Sequence, residues 1–389
     1  MRQIAILLLI AFLESFVTIL DERGVYFFCK EHLGFGAGEN LWLALTFGGG
    51  YVFAAWRAHW LSSRIGERRQ LMLVIALLVV VHVWLFFCVT PVVMFAAMGL
   101  LGLANGAKWP VLEGFLGGGL DPRQTARVMG RFNMTWAAAV PLALAATGPL
   151  MDITPTLLFV VGGAMSLASL VLTFFLAPGP AASLPAPAGS GRHEHPEHLA
   201  GLLIASRWLM LAAYISVFVF APLAPRIFDK LGCTSSWAPA TSGVLDVMRF
   251  AAFALLGFWQ GWRGRARWLA LTMIALPTGF FMVILGTNIT VVMVGEMLFG
   301  FAAGMSYSSA MYCAMVVKEA SVDAGGGHES MIGLGLMIGP LAGLAGESLY
   351  AATGSFAQGY VTTMAPVLGI CIAAAIWAIY RRPPAPRQA

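Results

Sequence analysis

His59-Trp60-Leu61-Ser62-Ser63-Arg64-Ile65-Gly66-Glu67-Arg68-Arg69 is the stretch on which the reading of this chain turns. It is a short cationic loop with a glycine in it, set between two long apolar runs, 41–61 and 70–89. A run of about 20 apolar residues spans a bilayer as a helix. Arg64, Arg68 and Arg69 between two such runs mark the connection as cytoplasmic, because basic residues accumulate in cytoplasmic loops. The local pattern is helix, basic turn, helix.

Outward from this loop the same pattern recurs. Apolar runs divided by polar residues, Pro or Gly predict spans at 4–28, 41–61, 70–89, 92–116, 126–150, 155–177, 201–224, 239–260, 268–286, 289–316, 328–347 and 357–380. Thr90-Pro91 and Gly286-Thr287-Asn288 are connections so short that they force antiparallel neighbours. Met1-Arg2-Gln3 and the apolar run from Ile4 to Leu13 resemble a signal peptide, but no small-residue cleavage site follows, so this segment reads as a retained first span. The chain is 59% hydrophobic and only 11% charged, against about 25% charged in a soluble domain. That leaves too few charges to coat a soluble globule, which disfavours a cytosolic enzyme, a disordered chain and a nucleic-acid binder. The net charge of +5 then reports loops and not a nucleic-acid partner.

The basic residues test the count. With the N-terminus in the cytoplasm, inside loops and tails hold 14 of the 23 Arg and Lys, and outside loops hold 3: Lys30, Arg226 and Lys230. This asymmetry predicts both termini in the cytoplasm. The expected fold is an all-α membrane protein of twelve transmembrane helices in two six-helix bundles, at 1–177 and 201–382. A Pro/Gly/Ser/Ala-rich cytoplasmic linker at 178–200 joins them, and a tail at 383–389 follows. The linker ends in His193-Glu194-His195-Pro196-Glu197-His198, read as a solvated segment and not a metal site, since Pro196 prevents a regular ligand face. Five scattered cysteines form no disulfide framework; Cys29 and Cys233 stand at equivalent positions on the outer side, and whether they pair is open.

The two bundles are related by a shift of 198 residues. Leu33-Gly34 falls on Leu231-Gly232, Gly66 and Arg69 fall on Gly264 and Arg267, and Gly102 through Gly106 falls on Gly300 through Gly304. Pro141-Leu-Ala follows at 199, on Pro340-Leu-Ala. One register through several patches implies a parallel repeat about an axis along the membrane normal.

With twelve spans, a six-plus-six repeat, a long central linker and the loop quoted first, the whole chain resembles the major facilitator superfamily. That family carries Gly-x-Leu-Ala-Asp-Arg-x-Gly-Arg-Arg between its second and third helices. Leu61, Arg64, Gly66, Arg68 and Arg69 match it, while His59 replaces the first Gly and Ser63 the Asp. The resemblance implies a conformational latch at Arg64, Gly66, Arg68 and Arg69, with the carboxylate of that latch missing. It also implies that helices 1, 2, 4, 5, 7, 8, 10 and 11 line a central cavity while 3, 6, 9 and 12 face lipid. Gly335-x-x-x-Gly339-Pro340-x-x-Gly343 on span 11 is close to the family's antiporter motif, but drug antiporters carry that motif on helix 5, so close helix packing is the simpler reading. Glu22-Arg23-Gly24-Val25-Tyr26-Phe27-Phe28 resembles, more weakly, a stretch of proton-dependent oligopeptide transporters.

Charge placement obeys the division that the resemblance implies. Charged residues in span interiors fall on span 1 (Glu14, Asp21, Glu22, Arg23), span 4 (Lys108, Glu113), span 5 (Arg131), span 8 (Asp246, Arg249) and span 10 (Glu296), while Arg57 and Arg207, near the cytoplasmic ends of spans 2 and 7, read as snorkelling side chains; the lipid-facing set holds only His82. A charge at the bilayer centre costs about 2.5–3.5 kcal/mol on insertion scales, so each needs a partner or water. Asp246 and Arg249, three apart, either neutralise each other or serve the cavity. Glu113 and Arg131 read as an interhelical lock in the conformational latch. Asp21, Glu22 and Arg23 lie either near the outer mouth or in a buried site. Glu14 has no basic residue three or four positions away, and desolvation makes it the first proton-coupling candidate, with Glu22, Asp246 and Glu296 behind it. Lys108 either binds an anionic group or pairs with Glu14. The substrate-cavity candidates are Arg23, Tyr26, Asn105, Lys108, Trp109, Arg249 and Tyr307.

These residues predict a monomeric secondary active transporter of a bacterial inner membrane, moving a small solute by alternating access with protons as the coupling ion. An efflux antiporter for small organic compounds is the alternative within the class. A sensor or scramblase on the same fold is the alternative outside it. No catalytic cluster, cofactor motif or metal site is expected, and the partners are the solute, protons and the lipid bilayer.

Overall fold

A computed structural model describes residues 2–117, 120, 122–179, 197–317 and 322–380. Helix dominates, and no strand occurs among the described residues. The helices join into rods: α1 (Arg2–Leu33), α2 (Ala37–Ile65), α3 (Glu67–Phe87), α4 (Pro91–Gly117), α5 (Pro122–Ile153), α6 (Leu157–Thr173), α7 (Glu197–Lys230), α8 (Ala238–Phe258), α9 (Ala266–Leu285), α10 (Ile289–Val317), α11 (Val322–Thr353) and α12 (Phe356–Tyr380). Ten of them are long and apolar enough to cross a membrane. The other two are α6, which is apolar but short, and α2, which carries Glu39, Asn40 and Gly48 through Gly50 and packs between α4 and α11. Large apolar side chains such as Phe87, Val92, Phe258 and Ile274 point outward, as a lipid solvent permits.

Local chemistry sets the rod ends. Pro91 opens α4, where its missing N–H costs nothing. Gly34 ends α1 at φ 69° and Gly66 ends α2 at φ 86°, left-handed values that disfavour any side chain. Their counterparts 198 residues on, Gly232 (φ 74°) and Gly264 (φ 66°), adopt the same conformation.

Helix packing repeats at the same offset. A Cβ on Gly102 would lie 2.1 Å from the Phe47 carbonyl oxygen, and one on Gly300 would lie 2.0 Å from that of Leu245. A Cβ on Gly106 would meet the Tyr51 carbonyl oxygen at 2.1 Å, and one on Gly304 that of Arg249 at 3.1 Å. Small residues let backbones touch, so α4 lies on α2 as α10 lies on α8.

Rods α1–α6 pack among themselves, as do α7–α12. The two sets meet along α2 with α11 and α7, α5 with α8, α1 with α7, and α4 with α11. At the end of the molecule that holds Gly34 and Gly232, a Cβ on Gly148 of α5 would lie 1.9 Å from the Ser236 carbonyl oxygen, and Lys30 Nζ is 2.9 Å from Asp229 Oδ2.

Several details depart from the sequence reading. Arg226, placed there in an outside loop, is helical and its Nη1 bonds Glu347 at 2.7 Å, because α7 runs through Pro222 and Pro225 to Lys230. Helix α8 is broken at Gly243. One face of α3 is not lipid-facing: His82 is buried against α1 and α6. Cys29 and Cys233 are both free thiols. His193 and His195 of the linker lie outside the described residues.

Candidate transport site

The site is organised by a widened turn in α1. Leu20-Asp21-Glu22-Arg23-Gly24 forms a π-helical segment, a feature frequent at functional sites. The extra residue in the turn sends consecutive polar side chains to different neighbours. Asp21 reaches α3, Arg23 reaches α8, and Gly24 lies so close to α5 that a Cβ there would be 2.9 Å from Thr147 Oγ1. Glu22 between them is half-buried.

Nine residues earlier, about 13 Å down the helix axis, sits a first cluster. Lys108 Nζ donates to Glu14 Oε2 at 2.7 Å and to Thr18 Oγ1 at 3.3 Å. Thr18 Oγ1 lies 2.7 Å from both the Glu14 carbonyl oxygen and Asn105 Oδ1. Asn105 Nδ2 donates to Leu101 O, and Lys108 also approaches the Trp109 ring at 4.9 Å. Glu14 and Lys108 are fully buried. Glu14, with no basic residue three or four positions away, is paired instead with Lys108, 94 residues distant, one of the two alternatives that the sequence left for Lys108.

A second pair flanks the widened turn. His82 Nε2 is 3.0 Å from Asp21 Oδ1, and His82 Nδ1 is 2.7 Å from the Leu78 carbonyl oxygen. Two acceptors face the two ring nitrogens, so a proton is shared between Asp21 and His82. Gly162 and Gly163 of α6 leave the slot: a Cβ on Gly162 would sit 2.4 Å from His82 Nε2.

The third cluster bridges the two sets of helices. Arg23 Nη1 bonds Asp246 Oδ2, and Arg23 Nη2 donates to the Ser242 carbonyl at 3.2 Å. The break in α8 frees that carbonyl, because the Asp246 N–H bonds Gly243 O instead. Arg249 Nη2 makes a close ionic contact with Asp246 Oδ1 at 2.6 Å, and its guanidinium stacks 4.9 Å from the Trp136 ring centre. Trp136 Nε1 and Tyr307 Oη both donate to Asn133 Oδ1, at 3.0 and 3.1 Å. The Trp136, Phe253 and Tyr307 rings touch one another at 5.1–5.6 Å. Glu296 is fully buried, with neither carboxylate oxygen hydrogen-bonded among the described residues.

Sequence candidates thus fall into two groups. Arg23, Asp246, Arg249, Tyr307 and, by electrostatic proximity, Glu22 and Glu296 converge on the third cluster; Glu14, Asn105, Lys108 and Trp109 form the first. Tyr26 is buried and its carbonyl accepts from Asn40 Nδ2 at 3.2 Å. In the basic loop, Arg68 Nη2 donates to Phe174 O at 2.8 Å and Arg64 stacks on Trp60, while Arg69 is exposed. These two contacts stay within the first six helices. Glu113 is half-buried and Arg131 exposed. On α11, a Cβ on Gly335 or Gly339 would press on Tyr214, Ile215 and Phe218 of α7, while one on Gly343 would lie 2.4 Å from the Leu41 side chain of α2, so this motif packs α11 closely both within its own set and across to the other. Sequence reasoning missed Asn133, Trp136 and Phe253, which carry no signal of their own. The Asp21–His82 pair had one: His82 is the single Asp, Glu, Lys, Arg or His in the interiors of the lipid-facing spans.

The sequence profile of the Major Facilitator Superfamily matches residues 4–321. Among solved structures, a bacterial homologue of the human lysosomal transporter Spinster, inward-facing and unoccupied, is 13% identical over 99% of this chain and 98% of its own, with a TM-score of 0.69. A peptide transporter of the POT family, auto-inhibited, is 14% identical over 100% and 99%, with a TM-score of 0.71. A D-xylose–proton symporter is 11% identical over 98% and 97%, with a TM-score of 0.71. At these identities the likeness shows the fold. No curated protein matches the chain in sequence.

Proposed function

Because this chain belongs to the major facilitator superfamily, we propose that it is a secondary active transporter that moves a small solute by alternating access, is driven by a proton gradient, and takes the proton at Glu296. In this reading it is a monomer of the cell membrane with both termini and the 178–200 linker in the cytoplasm, as the basic-residue asymmetry supports.

The observation that carries the proposal is the setting of Glu296: fully buried, with neither carboxylate oxygen hydrogen-bonded among the described residues, and within electrostatic reach of Arg23 and Asp246. A bare carboxylate in such surroundings is strongly disfavoured. Glu296 is therefore neutral in this arrangement, and on losing its proton it must find water or a cation. Arg23 is the cation at hand, already held by Asp246 across the two sets of helices. An ionised Glu296 competes for Arg23 and weakens that tie; a protonated one leaves it intact. The proton thus has a different affinity for the joined and the parted arrangement, which is what coupling requires. Glu14, matched by Lys108, has no such tension.

The test is uptake into proteoliposomes across a panel of sugars, nucleosides, peptides and organic ions, with and without a pH gradient. Glu296→Gln is expected to keep solute exchange and to lose uphill, gradient-driven accumulation. Full accumulation by Glu296→Gln moves the proton site to Glu22 or removes protons from the mechanism.

A further inference from the structure

We infer that the cluster where α1, α5 and α8 meet takes a small organic anion with an apolar body, its acidic group bridging Arg23 and Arg249 and its body lying against Trp136. This rests on the proton-coupled reading above and names the substrate class of the same site.

The argument begins with a charge count. Two guanidiniums, Arg23 and Arg249, share one carboxylate, Asp246. Both are nine-tenths or more buried. Glu22 is within electrostatic reach of both guanidiniums yet makes no ion pair among the described residues, and Glu296 has neither oxygen bonded. With Glu296 protonated, Asp246 is the one carboxylate bonded to the pair of cations. Segment 133–147 of α5 adds Asn133, Trp136 and Thr147 but no ionisable group. An unmatched charge inside a membrane protein is held only with a partner or in a water-filled cavity. A carboxylate, sulfonate or phosphonate supplies the missing partner.

The donors suit such a group. Arg249 Nε is buried and has no hydrogen-bond partner among the described residues. Guanidinium recognises acidic groups through paired N–H donors and keeps its planar face for stacking. Arg249 already stacks on Trp136, and the ring edges of Phe253 and Tyr307 continue the apolar surface. Positive charge beside an aromatic wall selects an anion that carries a ring or a short alkyl chain. It rejects a cation, and the polar groups that meet the aromatic wall, Asn133 and Arg249, are already engaged by Trp136, Tyr307 and Asp246.

The mechanism gains a physical logic from this. Anion and proton enter as a neutral sum: the proton removes the negative charge of Glu296, and the anion replaces it at the guanidiniums.

The experiment uses the full chain in detergent and three phenyl probes of matched shape: benzenesulfonate, benzenesulfonamide and phenyltrimethylammonium, with methanesulfonate as the anion without a ring. Calorimetry and thermal shift are expected to show binding by benzenesulfonate, weaker binding by methanesulfonate, and none by the neutral and cationic probes. Arg249→Gln should weaken benzenesulfonate binding by about 30-fold, the loss typical of a truncated buried charge contact, with Arg249→Lys between the two. Binding of the cationic or neutral probe as tightly as the anion, or no binding by either anion, overturns the proposal. Both readings come from the unaltered protein, so a misfolded variant does not blunt the test. Gradient-driven accumulation of a neutral solute would leave proton coupling standing and sink the anion class. Anion binding without any gradient-driven transport would do the reverse.

Discussion

The Glu14–Lys108 pair and the Arg23–Asp246–Arg249 cluster both tie the same helix to another by buried charge, yet they are built differently. The first is one acid to one base, supported by Thr18, and lies within the first six helices. The second sets two bases on one acid and spans the two sets of helices. A pair inside a unit that moves as one body never has to break. A tie across two bodies that rock must break in every cycle, so its charge must be transferable to a proton, to water or to solute. The comparison teaches that partner count and connectivity, more than burial, separate a structural ion pair from a working one. By that criterion the proposal above reads Glu14, the foremost proton candidate from sequence, as a structural residue and gives the proton to Glu296, whose oxygens have no hydrogen bond among the described residues.

Four experiments can break or sharpen that contrast. The largest effect is expected from Lys108→Ala, which leaves the Glu14 carboxylate buried without its cation. Removing one partner of a buried pair costs about 3–5 kcal/mol, so thermal unfolding in detergent should show a steep loss of folded protein. The double variant Glu14→Gln, Lys108→Met should recover most of it. A stable single variant would erase the distinction between the two clusters.

Asp246→Asn comes next. It removes the shared acid, but the cluster lies between moving bodies that admit water, so the expected stability loss is smaller, about 1–3 kcal/mol. Transport is expected to fall to background. Retained transport by a folded Asp246→Asn would show that the tie between the two sets is dispensable.

A smaller effect is expected from Gly148→Ala, whose new Cβ would collide with the Ser236 carbonyl oxygen across the two sets. Overpacking there should favour the arrangement with this end open by about 1 kcal/mol, roughly fivefold in population. Cys233, three residues from Ser236, reports it. Burial pushes the Cys233 thiol above its ordinary value, and a raised thiol is a slow nucleophile. In a Cys88→Ser background, maleimide labelling of Cys233 should accelerate in Gly148→Ala at fixed pH, since opening relieves the burial. An unchanged rate would mean that this contact does not close the end.

No measurable effect is expected from replacing residues 180–196, which stop short of α7, with a Gly/Ser stretch of equal length. The native composition cannot bury surface, and both clusters lie elsewhere. Loss of transport with normal membrane insertion would revive a metal-binding role for His193, His195 and His198.

Much of the fold was legible because its causes are local. Twenty apolar residues in a row cross a bilayer whatever surrounds them, and the order of spans followed from that. The repeat was legible in glycines, since a left-handed turn or a backbone contact admits little else: Gly34 with Gly232, Gly66 with Gly264, and the Gly102 and Gly106 contacts with those of Gly300 and Gly304 all keep the 198-residue offset. The kinds of residue in the site were legible as well, because charge inside a span is rare enough to be conspicuous.

Asp246 with Arg249 and Glu14 with Lys108 were legible as alternatives, but the other pairings were not. Arg23 meets Asp246 across 223 residues, and Asp21 meets His82 across 61. Spans that are apolar almost all round give no periodicity that says which face turns to which neighbour, and the widened turn at Leu20–Gly24 rotates Asp21 and Arg23 away from an ideal helical wheel. The sequence by itself determined which charges enter the membrane. The tertiary structure alone decided which of them are matched and which are left wanting a partner, because a buried charge is defined by what lies within a few ångströms of it, and that depends on how the helices are rotated against one another.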